Sequence, residues 1–202
     1  MAGRGDNLEV EVKFLVSNLA VFRETLQAAG GRLVRPRVYE RNVRYDTDKD
    51  RLRRRDELLR LRQDTMVRLT FKGMAWSAGQ SEVKVREEIE IEVDDFDRAA
   101  ALIGRLGFEP KQVYEKYRET FQLSEVEVVL DEMPFGNFVE LEGEEEAIKA
   151  AAVRLELDWN RRIVTNYLEL MGRLKAYHSL PFDDLTFANF KDLPVSAADI
   201  LP

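Results

Sequence analysis

The chain has 202 residues, 45% hydrophobic and 34% charged, with Lys+Arg 31 against Asp+Glu 38 and a formal net charge of -7. That is ample apolar material for a core, and too acidic a balance for a nucleic-acid-binding protein. With no cysteine and a single histidine, His178, thiolate and imidazole-rich metal sites are excluded, so any metal must sit on oxygen ligands, as Mg²⁺ or Mn²⁺ does.

The opening MAGRGDN lacks the apolar stretch of a signal peptide, and no apolar run approaches the roughly 18 residues of a membrane span. The expected compartment is the cytoplasm, with no membrane partner. No linker or repeat divides the chain, which reads as one domain over 1–202 with a C-terminal extension.

LEVEVKFLV (8–16) alternates strictly: Leu8, Val10, Val12 and Phe14 on one strand face, Glu9, Glu11 and Lys13 on the other. SNLAVFRETLQAAGG (17–31) predicts a capped helix ending in glycines. Strands are expected at 37–46, 57–63, 66–73 and 82–93, with GMAWSAGQ (73–80) as the last loop between them, and a second capped helix at 94–107. Three more strands are expected at 112–122, 125–131 and 137–142, the last two joined by EMPFG. EEEAIKAAAVRLEL (144–157) and RIVTNYLELMGRLKAY (162–177) read as helices. The tail from Leu180 reads as loop, but Phe182, Leu185, Phe187 and Phe190 predict that it packs on the body.

Charged side chains recur on one face of the later strands: Arg60 and Arg62; Arg68, Thr70 and Lys72; Lys84, Arg86, Glu88 and Glu90; Lys116 and Arg118; Glu127 and Asp131; Glu140 and Glu142. Taken singly, each is the wet face of an antiparallel sheet. Together they segregate by sign, and like charges at i and i+2 stand only about 7 Å apart, which is unfavourable without counterions. Seven or eight strands with few intervening helices can close on themselves, gathering these faces into one lumen. Such a lumen calls for a ligand of both signs. Arginine and lysine clusters suit a polyanion with several phosphates, while carboxylate pairs suit a hard divalent cation that itself binds phosphate oxygens.

The ordered succession Glu9-Val-Glu11-Val-Lys13, ERNVRYDT (40–47), LLRLRQD (58–64), VRLTFKG (67–73), KVREEIEIEV (84–93), EKYRETF (115–121) and VVLDEMPFGNFVELEG (128–143) resembles the CYTH superfamily, or triphosphate tunnel metalloenzymes, over about 8–143 and on through the helix around Thr165–Leu174. The resemblance implies an α+β fold, an eight-stranded antiparallel β-barrel tunnel with helices outside. It implies Mg²⁺ or Mn²⁺ on Glu9, Glu11, Glu140 and Glu142, with Asp131 as a further ligand or water-positioning carboxylate and Glu88 or Glu90 orienting bases or serving a second metal. Lys13, Arg60, Arg62, Lys72, Lys116 and Arg118 would bind the triphosphate; Arg68, Lys84 and Arg86 share the face but rank lower. Lys13, Arg60, Lys72 and Asp131 are the candidate catalytic residues.

The implied substrate is inorganic triphosphate, ATP or thiamine triphosphate. Hydrolysis is the leading reading, class IV adenylyl cyclase activity the alternative, and a non-catalytic ATP or polyphosphate binder the third. N-x-x-Y-D-T within ERNVRYDT resembles the family's phosphohydrolases, whereas KVREEIEIEV with a helical extension resembles its cyclase branch. A homodimer is compatible with the sequence. His178 reads as structural or exposed, DKDRLRRRDE (48–57) as a solvated turn, Trp76 as packing more than base-binding, and Trp159 as core.

Overall fold

The computed structural model describes residues 8–74 and 82–201. Its strands are β1 (Leu8–Val16), β2 (Arg32–Asp46), β3 (Leu58–Gln63), β4 (Val67–Met74), β5 (Lys84–Val93), β6 (Glu109–Leu123), β7 (Val126–Met133) and β8 (Gly136–Glu142). The helices are α1 (Leu19–Ala28), α2 (Phe96–Arg105), α3 (Glu145–Arg154), α4 (Tyr167–His178) and the single turn α5 (Phe187–Phe190).

Adjacent strands are antiparallel in the order β1-β5-β4-β3-β2-β6-β7-β8, and the sheet closes in a ring where β8 pairs with β1. Closure decides which face is inside. Because side chains alternate along each strand, the β1–β8 register that sets Lys13 opposite Glu140 also puts both on the lumen face. The apolar alternates point outward and become the outer core. Val12, Phe14, Phe121, Val128, Leu130, Val139 and Leu141 pack against Phe22 and Leu26 of α1 and against Ile148, Ala151 and Ala152 of α3. On the other side, α2 lays Ile103 over Val43, Tyr45 and Leu61. Leu8, Ile89 and Ile91 are left exposed, so the cover over the outer wall is incomplete near the start of β1 and along β5.

β2 and β6 are both longer than expected. Pro36 falls inside a register shift of β2 between Arg35 and Val38, so a residue without an N–H is accommodated where the ladder is already irregular. Residues 162–165, expected to open a helix, are not helical. Ile163 instead exchanges both backbone hydrogen bonds with Lys13 (3.0 and 2.8 Å), and α4 starts only after Asn166, whose side chain caps it through Glu169 N–H. The tail packs as expected: Leu185, Phe190 and Ala197 are buried with Met133, Phe135 and Phe138 of the β7–β8 turn.

Candidate active site

The ring encloses a cavity of about 1280 Å³ lined by charged side chains from all eight strands and by α4. Its ionic groups fall into two arrangements.

The first is acidic. Carboxylate oxygens of Glu9, Glu11 and Glu142 lie within 4.8 Å of one another. Glu11 faces Glu142 across the β1–β8 ladder, so the clustering follows from register. Burial opposes ionisation of Glu11, but Lys13 (2.7 Å) and Lys84 (2.7 Å) outweigh it and hold the carboxyl well below its usual range. Burial dominates at Glu9 and raises its pKa despite Lys72 at 2.5 Å. Glu142 is the extreme case: burial, then the charge of Glu140, then Glu9 and Glu11, push it up to about 8 against the opposing pull of Arg118. Among the described residues no lysine or arginine closes an ion pair with Glu142.

The second arrangement is compensated. Asp131 is fully buried, and Arg118 grips it through Nε (2.7 Å) and a terminal nitrogen (2.6 Å). Lys116 Nζ donates to it at 2.9 Å and the Tyr167 hydroxyl at 3.0 Å. Glu140 is held by Arg118 and by Lys13 at 3.3 Å; these cations and Lys116 outweigh its burial and depress its pKa. Asp131 and Glu140, expected among the metal ligands, therefore stand with the cations rather than with the acidic trio.

The other predicted cations converge on the same space. Arg60 and Arg62 both reach Glu90, at 3.4 and 3.0 Å, and Lys72 reaches Glu88 at 3.1 Å. The Nε atoms of Arg60 and Arg62 are buried without a hydrogen-bond partner, as is Oε2 of Glu40. A buried guanidinium N–H left unused is costly, and an anion in the lumen would satisfy it. Arg86 also lines the cavity, where it donates to the carbonyls of Gly73 (3.4 Å) and Asp56 and so fastens the 48–57 loop. Asp46 clamps the same loop, accepting the N–H groups of Thr47, Leu52 and Arg53 at 2.7–3.0 Å. That loop is more than a solvated turn, because Asp48, Asp50, Arg53, Asp56 and Glu57 line the cavity.

Glu40, Tyr114 and Tyr167 were not among the expected site residues. Glu40 lies 3.7 Å from Arg62 and 3.8 Å from Lys116, which together with Arg118 and Arg60 overcome its burial and lower its pKa to about 2. The Glu40-x-Asn42-x-Arg44 alternation was available as a signal on β2. Tyr114 stands in the Tyr114-x-Lys116-x-Arg118 alternation of β6, and its hydroxyl accepts from Arg60 at 3.3 Å. His178 pairs with Asp199 at 2.8 Å away from the lumen, and Trp159 is only partly buried, packed against the outer core. Trp76 lies outside the described residues.

A model of the CYTH domain matches residues 7–165. The chain belongs to the CYTH domain family. One relative, a Methanocaldococcus jannaschii protein provisionally named an adenylate cyclase, is 29% identical over 137 residues, covering 67% of this chain and 76% of its own. The solved structure of a Vibrio parahaemolyticus protein, also provisionally named an adenylate cyclase, superposes with a TM-score of 0.73 at 22% identity, over 82% of this chain and 98% of that one. A Hippeastrum protein, provisionally called an adenylyl cyclase and described as having a dominant triphosphatase activity, gives a TM-score of 0.54 at 17% identity, over 79% and 91% of the two chains. These likenesses establish the CYTH tunnel fold.

The donor set fits the divalent metal that such a tunnel implies. Three carboxylates share a 4.8 Å site, one of them has no cationic partner among the described residues, and all offer hard oxygen donors. Among the described residues no helix is long and apolar enough to cross a membrane.

Proposed function

We propose that the chain is a metal-dependent triphosphatase that hydrolyses inorganic or organic triphosphate inside the tunnel. The carrying observation is the adjacency of an under-compensated acidic trio and a dense cation cluster whose Arg60 and Arg62 Nε atoms are unsatisfied. Glu9, Glu11 and Glu142 would hold Mg²⁺ or Mn²⁺, with Glu140 beside them. When bound, the cation neutralises phosphate charge and polarises the oxygens of the transferring group.

The chain's own residues do the rest. Lys13, Arg60, Arg62, Lys72, Lys116 and Arg118 bind the three phosphates, and guanidinium forks hold them in line. Asp131 keeps Lys116 and Arg118 in place. A water oxygen then forms a bond to the terminal phosphorus while the bridging P–O bond breaks, releasing orthophosphate and a diphosphate. Enclosure by the ring limits competing solvent and strengthens each ionic contact.

Cyclisation of ATP is the second reading, favoured by the name of the Methanocaldococcus relative. Hydrolysis is preferred because among the described residues the aromatic rings on the lumen wall are Tyr114 and Tyr167, both buried in the packed cluster beneath α4, which leaves no free ring to stack a base. The test is to incubate the purified protein with Mg²⁺ or Mn²⁺ and either ATP or inorganic triphosphate, then separate the products. Orthophosphate supports the hydrolase and cyclic AMP with pyrophosphate the cyclase. Tight binding without turnover supports a binding module.

A further inference from the structure

The strands of the ring are unequal, and the C-terminal chain uses the difference. β5 pairs with β1 only as far as Glu11, and β7 pairs with β6 only as far as Tyr117, so the next stretch of each partner strand has an open edge. Ile163 closes the first at Lys13. Leu185 closes the second by accepting from Glu115 N–H and donating to Val113, both at 2.9 Å. Between these two pins runs α4, with Asn166 as its cap, accepting from the Glu169 N–H, and Tyr167 as its first residue. Leu168, Met171 and Gly172 of α4 line the cavity with the strands.

Tyr167 is therefore introduced into the lumen from a short, fixed tether. Its ring is buried and meets Phe138 edge-on at 5.0 Å and Phe135 at 6.5 Å, which sets its plane. Its hydroxyl donates to Asp131 Oδ2, the oxygen that also takes Lys116 and a terminal nitrogen of Arg118. The ring centroid lies 5.4 Å from Lys13 Nζ and 5.5 Å from Lys116 Nζ, near enough for cation–π attraction to both. One side chain thus touches ionic groups on β1, β6 and β7.

We infer that Tyr167 is a positioning residue: it locks the Asp131 carboxylate so that Lys116 and Arg118, together with Lys13, present their charges to the phosphates in a fixed geometry. The assignment rests on the triphosphatase reading and adds a working residue from α4 to a site otherwise built from strands. Loosely held cations still attract a triphosphate in the ground state. Their alignment matters most as charge shifts during transfer, so its loss falls on kcat more than on KM.

The test is Tyr167→Phe in the full chain, assayed with inorganic triphosphate and Mg²⁺. The expected result is a kcat lowered about tenfold with KM changed less than about threefold, the signature of an interaction used in the transition state. In an Asp131→Asn background the same substitution should lower kcat by less than about twofold, because residues acting as a unit are non-additive. Wild-type kcat in Tyr167→Phe overturns the inference. So does a lowered melting temperature with unchanged kcat and KM, which marks a structural role only, and so does an undiminished loss in the Asp131→Asn background. If the wild-type protein turns over no triphosphate, the functional reading itself fails, and the role given to Tyr167 falls with it; an active wild type with an indifferent Tyr167→Phe sinks the inference alone.

Discussion

The lumen holds two carboxylate clusters that differ in how they are answered. Around Asp131 every strong acceptor is taken, by a bidentate Arg118, by Lys116 and by Tyr167. Around Glu142 three carboxylates converge, and burial with like charge drives one of them up to about 8. Both sit in the same ring on strands of the same alternating pattern, so composition does not separate them. The difference is what register places opposite each: Arg118 across from Asp131, Glu11 across from Glu142. The Asp131 cluster is finished structure, whereas in the unsaturated trio Glu9 and Glu11 are held by lysines and Glu142 alone lacks a cation among the described residues.

The sharpest way to break the finished cluster is Asp131→Asn. It leaves Lys116 and Arg118 buried with their main counter-charge gone, and stripping one member from a buried ionic set costs about 3–5 kcal/mol. Denaturant unfolding should show a loss of that size. A loss below about 1 kcal/mol would mean the remaining carboxylates suffice, Glu140 for Arg118, which it already contacts, and Glu40, 3.8 Å away, for Lys116.

At the unsaturated cluster the sign reverses. Glu142→Gln removes the cost of keeping that carboxyl protonated where the unfolded chain has it ionised, so near neutral pH the metal-free variant should melt at a higher temperature than the metal-free wild type. It should also lose most of the gain produced by Mg²⁺ or Mn²⁺, which for a ligand at a hundred times its Kd is about 2.7 kcal/mol in the wild type. Metal stabilisation of the variant equal to wild type would remove Glu142 from the ligand set.

The two clusters also predict opposite limbs of a stability–pH curve. Glu142, raised from the usual 4.5 to about 8, and Glu9, also raised, keep protons that the unfolded chain has released, so stability of the metal-free protein falls as pH climbs from about 4.5 to about 8. Glu40, lowered from 4.5 to about 2, gives stability that is fully present above 4.5 and lost as pH falls through 2. Melting temperatures of the metal-free protein should therefore peak near pH 4.5. Saturating Mg²⁺ favours the ionised carboxylates and should flatten the alkaline limb. An alkaline limb unmoved by metal would detach Glu142 and Glu9 from the cation.

The sequence carried the alternation of Glu9, Glu11 and Lys13 and its echo in later strands, and alternation suffices to say which side chains share a face. Closure turned that face inward, and the eight-strand ring agrees with it. What the pattern did not carry was pairing. Nothing in the order of residues says that Asp131 meets Arg118, or that Arg86 holds Asp56 at the cavity wall, because those contacts join strands and loop through register and turn geometry. Ile163 reads as helical because RIVT continues an apolar spacing, yet the open edge at Lys13 recruits it as a strand partner. Tyr167 was hidden for a related reason: in NYLELM it looks like one more apolar residue of an amphipathic helix, and only the placement of α4 against the lumen gives its hydroxyl a role.

The smallest effect sharpens what separates strong ion pairs from weak ones. Arg173 and Glu169 on α4 approach to 2.8 Å, as close as Lys116 and Asp131 at 2.9 Å, and Arg173, Glu169 and Lys116 all line the same cavity. Their side chains, however, are about half exposed, 52% and 54%, against 4% and 0% for the buried pair. Water screens the first pair and is absent from the second, so Arg173→Ala should cost only about 0.3–0.5 kcal/mol, the worth of an exposed i,i+4 pair, and should leave kcat within about twofold of wild type. A loss approaching that of Asp131→Asn would show that contact distance, not burial, sets the strength of these pairs, and the contrast between a finished and an unfinished cluster would then need a different physical basis.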